Sequence, residues 1–183
     1  MKYFHWLTVA SVIASIIGLL MDRQSQMDIS EVIQQKLNNR IELQKEALAQ
    51  GAGYIYDESA MLEDVAVLVY EDRLLINWNT YHDLPDLSAW GVDPLRFYEE
   101  DEDFYLIDSR SEGNVRIYAI TTLKRSYPFD NSYLAAFSNE QVLGRRSIEL
   151  GHGPFSLKLP GGDTLCYNIQ TSFPSFHANY PSF

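Results

Sequence analysis

NVRIYAITTLK, residues 114–124, is the longest β-strand candidate in the chain. Its β-branched and aromatic residues suit the pleated, half-buried surface of a sheet. DVAVLVY (64–70) and RLLINW (73–78) have the same character, and Glu71 and Asp72 between them predict a hairpin turn. Further strands are predicted at residues 95–98, 104–108, 146–150, 154–159 and 164–170. Strands joined in this way predict an antiparallel sheet.

An amphipathic helix is predicted ahead of the strands, over residues 29–50. Large apolar residues recur there at every fourth position and form a narrow stripe: Ile29, Ile33, Leu37 and Ile41. Asp28 and Glu31 predict a capping box at its start. A helix followed by strands, without βαβ alternation, predicts an α+β fold with an antiparallel sheet. By analogy with other sensor domains, we expect the sheet to be PAS-like or Cache-like.

The amino-terminal run FHWLTVASVIASIIGLLM, residues 4–21, carries no charge and has about the length that a membrane-spanning helix needs. A cleaved signal peptide is one alternative, but residues 18–22 form a poor cleavage site. A lipoprotein signal requires a cysteine that this run lacks, and a buried soluble helix is the third alternative. We expect an uncleaved anchor with a single span in a bacterial inner membrane, and Lys2 favours a cytoplasmic amino terminus.

The chain then divides into three predicted parts: residues 1–25 as the anchor with a short cytoplasmic start, 26–53 as a juxtamembrane amphipathic helix, and 54–183 as a periplasmic α+β sensor domain. Ala10, Ala14 and Gly18 repeat at every fourth position. Such a face lets two membrane helices approach closely, although small residues are common in these helices by chance.

Composition excludes several classes of function. The 183 residues carry a formal charge of −11, which disfavours nucleic-acid partners and anionic lipid surfaces. The single cysteine, Cys166, permits neither an intramolecular disulfide nor a cysteine-based zinc site.

Motifs for catalysis are missing from the sequence. There is no glycine-rich phosphate loop and no G-x-S-x-G nucleophile motif, so no catalytic residue is assigned and we expect the chain not to be an enzyme. The four histidines show no i, i+4 zinc spacing. The acidic run at residues 99–103 is predicted to be a hairpin tip, and it lacks the spacing of a calcium loop. We therefore expect no metal and no cofactor.

Aromatic residues supply the candidate binding site. Rings with a few polar tips can line a small-molecule pocket, but they can equally pack in a core. Asn131 can bind a ligand or hold a turn. The candidate ligand-binding residues are Trp78, Tyr105, Tyr127, Phe129, Asn131 and Tyr133.

The segment LKRSYPFDNSYLAAF, residues 123–137, resembles part of the extracytoplasmic amino-terminal region of Bacteroidetes membrane-bound two-component sensor histidine kinases. Residues 69–79 (VYEDRLLINWN) and 103–108 (DFYLID) resemble two further strands of that region. The resemblance implies a homodimeric receptor that has two spans and senses an unknown small molecule or an envelope protein. This sequence ends before a second span or a kinase domain. The alternative is a membrane-anchored envelope protein that binds another protein without signalling.

Overall fold

The computed structural model describes residues 2–50, 65–79, 84, 85, 87, 95–126, 137–144 and 148–169, and the side chains of α1 from Ser11 onward. The fold is α+β, as predicted. The elements in chain order are α1 (Lys2–Gln50), β1 (Ala66–Glu71), β2 (Leu74–Trp78), β3 (Arg96–Glu100), β4 (Asp103–Glu112), β5 (Val115–Arg125), β6 (Phe137–Ser138), α2 (Glu140–Leu143), β7 (Ile148–Lys158) and β8 (Thr164–Ile169).

Helix α1 is uninterrupted over 49 residues, whereas two separate helical segments were predicted. The capping box was wrong, because Asp28 lies within the helix and not at its start. Residues 22–28 contain no glycine or proline to end a helix, and their amides and carboxylates pair one turn apart. Gln24 Nε2 donates to Asp28 Oδ1 at 2.9 Å, and Gln26 Nε2 donates to Asp22 Oδ2 at 3.2 Å.

The main sheet is antiparallel, with strand order β2-β1-β5-β4-β3, and β6 adds two residues beside β5. The hairpin predicted from residues 64–78 forms as β1 and β2, but its turn is Asp72–Arg73, one residue later than predicted. Both turn residues have positive φ, as do Asp101 and Glu102 in the acidic turn between β3 and β4. Two-residue turns of this kind match the twist of paired strands.

Helix α1 lies on one face of this sheet and crosses its strands. Ile33, Leu37 and Ile41 pack in one cluster with residues of β4 and with the β7–β8 hairpin. Further along, Ala47 and Leu48 pack against β1 and β5. The helix therefore advances from the β4 side of the sheet toward the β1 side.

The opposite face of the sheet carries a second core that is rich in tyrosine. Its buried members are Leu68, Tyr70, Leu87, Tyr105, Ile107, Tyr118 and Ile120. Tyr70 and Tyr118 meet edge to face with their ring centroids 5.7 Å apart. The sheet thus has apolar layers on both faces.

Strands β7 and β8 form a separate two-stranded sheet. Two strands were predicted at 146–150 and 154–159, but they are one long strand with a bulge, in which Leu150 and Phe155 both pair with Tyr167. Gly153 permits the bulge, since its φ is 140° and an added Cβ would lie 2.1 Å from the Tyr167 carbonyl oxygen.

Within the described residues, no helix is both long enough and apolar enough to cross a membrane.

Candidate functional site: the contact between α1 and the sheets

The face of α1 that packs on the domain combines an apolar stripe with polar side chains that contact the sheets or α2, and four of these make its closest polar contacts. We call these four the α1 polar series: Ser30, Gln34, Arg40 and Gln44. From Ser30 to Gln44 there are 14 rises of 1.5 Å, or about 21 Å of helix. Each of them binds a partner that is distant in sequence.

The first two members hold the β7–β8 hairpin. Tyr167 donates its hydroxyl hydrogen to Ser30 Oγ at 2.8 Å. Gln34 Nε2 donates to the Lys158 carbonyl and Gln34 Oε1 accepts from the Lys158 amide, both at 2.9 Å. The amide of Gln34 thereby bonds to the edge of β7 as a neighbouring strand would. Helix and hairpin are fixed in one register.

Gln44 is fully buried between the helix and the centre of the main sheet. Its Nε2 donates to the Leu106 carbonyl of β4 at 2.9 Å and to Thr121 Oγ1 of β5 at 3.1 Å. Its Oε1 has no hydrogen-bond partner in the described part of the chain. A buried acceptor without a partner costs free energy, so this contact is not optimal for stability alone.

Arg40 is also buried, and it connects α1 to the short helix α2 through Gln141 Oε1. Lys36 Nζ donates to the Glu140 carbonyl at 3.4 Å. The start of α2 is capped by Asn139, whose Oδ1 accepts from the Gln141 amide at 3.1 Å and whose Nδ2 donates to the Thr122 carbonyl of β5 at 3.0 Å. Helix α1, helix α2 and β5 are therefore linked by polar contacts.

These contacts fix the position of α1 relative to the sheets and α2, and they do not form a chain for proton transfer. The groups that bond are two amides, a guanidinium and a hydroxyl, and each fixes one point along the helix axis. Burial raises the pKa of Tyr167, and its bond with Ser30 opposes that shift, so the phenol stays neutral. A shift of α1 by one turn would break every bond of the series together.

The predicted ligand-binding residues are only partly within the described part. Tyr127, Phe129, Asn131 and Tyr133 lie outside it. Trp78 and Tyr105 are both on the face of the sheet opposite α1, but β1 and β5 separate their strands. Three strand spacings correspond to about 14 Å. The structure thus places Trp78 and Tyr105 on one face without bringing them together.

Tyr105 is packed in the tyrosine core, whereas Trp78 is half exposed. Tyr105 donates its hydroxyl hydrogen to Asp103 Oδ2 at 3.0 Å, and burial raises its pKa to about 12. Asp103 also accepts from the Ser126 amide at 2.6 Å. The Tyr105 hydroxyl therefore has a partner within the domain.

Two surface grooves lie beside α1. One groove of about 340 Å³ lies between α1 and the end of α2 and is bordered by Ile29, Val32 and Leu143. A second, of about 570 Å³, follows the outer face of α1 near Leu43. Among the described residues, no group of three or more His, Cys, Asp or Glu side chains could hold a metal ion.

Sequence reasoning did not identify the α1 polar series as a site. A signal was present, because steps of four, seven and eleven residues from Ile33 reach Leu37, Arg40 and Gln44 on one helix face. A charge and an amide on that face indicate specific buried contacts.

No protein-family model, no curated protein and no solved structure matches this chain.

Proposed function

We propose that this chain is a membrane-anchored, periplasmic sensing module of a bacterial signalling receptor of the sensor histidine kinase type. One observation carries the proposal: α1 runs without interruption from an exposed apolar segment into the core of the α+β domain. A continuous helix of this kind transmits a shift at one end to the other.

The exposed apolar segment supports the anchor. Seven large apolar side chains are each at least 51% exposed: Val12, Ile13, Ile16, Ile17, Leu19, Leu20 and Met21. At 100° per residue they cover roughly 200° of the helix circumference. Packing against a single flat surface would leave many of them in water, whereas a hydrocarbon medium surrounds them all.

The domain end of α1 supports transmission. Gln44 reaches β4 and β5, the strands that also carry Tyr105 and Tyr118 on the opposite face. A ligand bound to that face could move β4, and Gln44 would pass this movement to α1. This requires that the ligand bind one position of β4 more tightly than the other. The antiparallel sheet with a leading helix on one face also supports a PAS-like or Cache-like relationship, which we propose by analogy.

A homodimer is part of the proposal, with two α1 helices side by side. Gly18 has open space around it, since a Cβ added there would meet nothing within 4 Å. Anchors in one membrane are parallel, so a dimer that pairs α1 with α1 keeps both domains on the same side.

Membrane fractionation tests the anchor. The full chain, expressed in bacteria, should remain in the membrane pellet after an alkaline carbonate wash. Val12→Asp combined with Ile13→Asp should release it, because residues 12 and 13 are the middle of the run 4–21 and each carboxylate at the centre of a span costs about 3 kcal/mol. Gln35→Asp with Asn39→Asp is the matched control on exposed polar positions of the same helix. Extraction of the unaltered chain by carbonate would overturn the anchor.

A thermal-shift screen of the full chain in detergent tests sensing, with sugars, amino acids, peptides and divalent ions as probes. A dose-dependent rise in melting temperature supports a ligand site, since ligands stabilise the folded state by mass action. Tyr133→Ala should reduce the shift if the aromatic segment binds the ligand. No shift with any probe would contradict small-molecule sensing.

The second candidate is an anchored envelope protein that binds another protein without signalling. The observation that favours it is the exposed apolar strand β2, at the edge of the sheet.

A further inference from the structure

One exposed stripe of α1 crosses from the apolar segment into the polar stretch that follows it. Its residues recur at alternating steps of four and three, which is the spacing of the contact line in a coiled coil. We call them the α1 seam: Ile13, Ile17, Leu20, Gln24 and Met27, all of them exposed. Met27 is 49% exposed and extends this line about 9 Å beyond residue 21, the end of the uncharged run. The stripe therefore continues outside the proposed membrane span.

The α1 seam faces away from the sheets. At 100° per residue, Gln24 lies about 160° round the helix from both Arg40 and Gln44, which are buried against the domain. The bonds of these two residues to α2, β4 and β5 are thus on the other side of the helix. A second helix can lie along the seam without displacing these contacts.

The charges beside the seam are complementary between two parallel copies. Arg23 precedes Gln24 and Asp28 follows Met27, so Arg23 and Asp28 are the flanking positions of the heptad that form salt bridges between coiled helices. Gln24 Nε2 donates to Asp28 Oδ1 at 2.9 Å and holds the carboxylate beside the seam. A two-fold axis repeats the contact, because Arg23 of each copy then meets Asp28 of the other. Two opposite-charge pairs therefore close the end of the seam.

Gln24 is the one polar residue of the α1 seam. In a parallel pair in register, the Gln24 amides of the two copies face each other. A single polar residue in such a contact line fixes the register and the number of helices, at a cost in stability. The seam thus has a feature that specifies its pairing as well as residues that drive it.

The face of Ala14 and Gly18 is the other surface along which two α1 helices could approach. It lies about 100° round the helix from the seam. Continued at the same spacing, this face reaches Ser25 and Asp28. Asp28 of the two copies would then meet across the dimer axis, and like charges in contact repel. Charge therefore favours the α1 seam.

We propose that the α1 seam is the interface of a parallel homodimer, so that the partner is a second copy of this chain. The two helices form a left-handed coiled coil from Ile13 to Met27, because a repeat of 3.5 residues imposes that hand. Two pairs of Arg23 with Asp28 close it outside the membrane, and the two domains lie on the outer sides of the pair. The inference rests on the proposed anchor, since a shared membrane makes the two helices parallel.

Cysteine cross-linking in native membranes tests the seam, with the full chain in a Cys166→Ser background. Copper phenanthroline should convert Met27→Cys to a disulfide dimer at least tenfold faster than Ser25→Cys. Ser25 is the matched control, because it is exposed at nearly the same height but lies on the other face.

Charge reversal tests the flanking pairs in the Met27→Cys chain. Arg23→Glu should slow its cross-linking at least fivefold, since both pairs become repulsive. Arg23→Glu with Asp28→Arg should restore the rate to within twofold, because the exchanged charges attract again. Arg73→Glu, an exposed charge reversal in the β1–β2 turn, should leave the rate unchanged.

The remaining outcomes would overturn the inference. Faster cross-linking of Ser25→Cys would move the interface to the face of Ala14 and Gly18. Failure of the charge exchange to restore the rate would overturn the flanking pairs. If neither cysteine variant cross-links while the chain resists carbonate extraction, the seam fails and the anchor stands. Extraction by carbonate would instead overturn the anchor, on which the inference rests.

Discussion

Gln44 makes two opposing contributions to the free energy of unfolding. The hydrogen bonds of Nε2 stabilise the fold, and the buried Oε1 without a partner destabilises it. In Gln44→Met the hydrogen bonds of Nε2 are lost, of which the two shorter ones, at 2.9 and 3.1 Å, contribute most and a third reaches the Ala119 carbonyl at 3.4 Å. At about 1 kcal/mol each, the two shorter bonds contribute roughly 2 kcal/mol. The same change removes the unpartnered Oε1, which costs about 1–3 kcal/mol. We therefore expect the free energy of unfolding to change by about 1 kcal/mol or less.

Gln44→Ala loses the same bonds and also leaves a cavity at a fully buried position. Truncation of a buried side chain of this size costs about 2–5 kcal/mol, so we expect a loss of at least about 2 kcal/mol. Urea unfolding of the full chain in detergent, followed by circular dichroism, measures both values if the slope with urea is unchanged. Gln35→Met, at an exposed position of α1, is the control. A loss above about 3 kcal/mol for Gln44→Met would show that Oε1 is not a cost and would refute this reasoning.

Three further predictions concern the core and its ionisation. Leu37→Ala should lower the free energy of unfolding by about 2–5 kcal/mol, whereas Val32→Ala, at a half-exposed position, should cost less than about 1 kcal/mol in the same urea assay. Because burial raises the pKa of Tyr105 from 10.0 to about 12, its contribution to stability is complete below pH 10 and is lost as pH rises through 12. Tyr105→Phe should flatten melting temperature against pH in that window, and an unchanged profile would argue against it. Burial also raises the pKa of Asp108, so its stabilising contribution is lost as pH rises above about 3.8. Asp108→Asn should therefore raise the melting temperature at pH 7, and a fall would contradict the assignment.

Local patterns were enough to predict the fold class and most strands. Strand β5 was predicted within one residue at each end, because its β-branched residues form one run between Gly113 and Ser126. The helix stripe from Ile33 to Ile41 is buried as expected. Each of these signals is local in the chain, so neighbouring residues suffice to read it.

The contacts that define the candidate site could not be predicted in this way. Gln34 meets Lys158, and Gln44 meets Leu106, across 124 and 62 residues of sequence. Such pairs depend on how the sheet is ordered, and hydrophobic periodicity does not contain that order. Likewise, Trp78 and Tyr105 share the character of pocket residues, but strand order keeps them about 14 Å apart.

The exposure of the β2 side chains also could not be predicted from the sequence. RLLINW is typical of a buried strand, and only the sheet order shows that it lies at an edge. The merging of two helical segments into α1 follows from residues 22–28, whose pairs of amide and carboxylate favour continuation of a helix. The sequence predicts a boundary there because Asp28 and Glu31 have the spacing of a capping box.

Labelling of the single cysteine tests the central claim, that an anchored domain lies outside the cytoplasm. Cys166 is exposed on β8, and it is the only cysteine in the sequence. Spheroplasts that express the full chain are treated with a membrane-impermeant maleimide before and after permeabilisation, with Cys166→Ser as the blank. We predict full labelling of Cys166 in intact spheroplasts, with no further gain on permeabilisation. Labelling only after permeabilisation would place the domain in the cytoplasm and contradict the account.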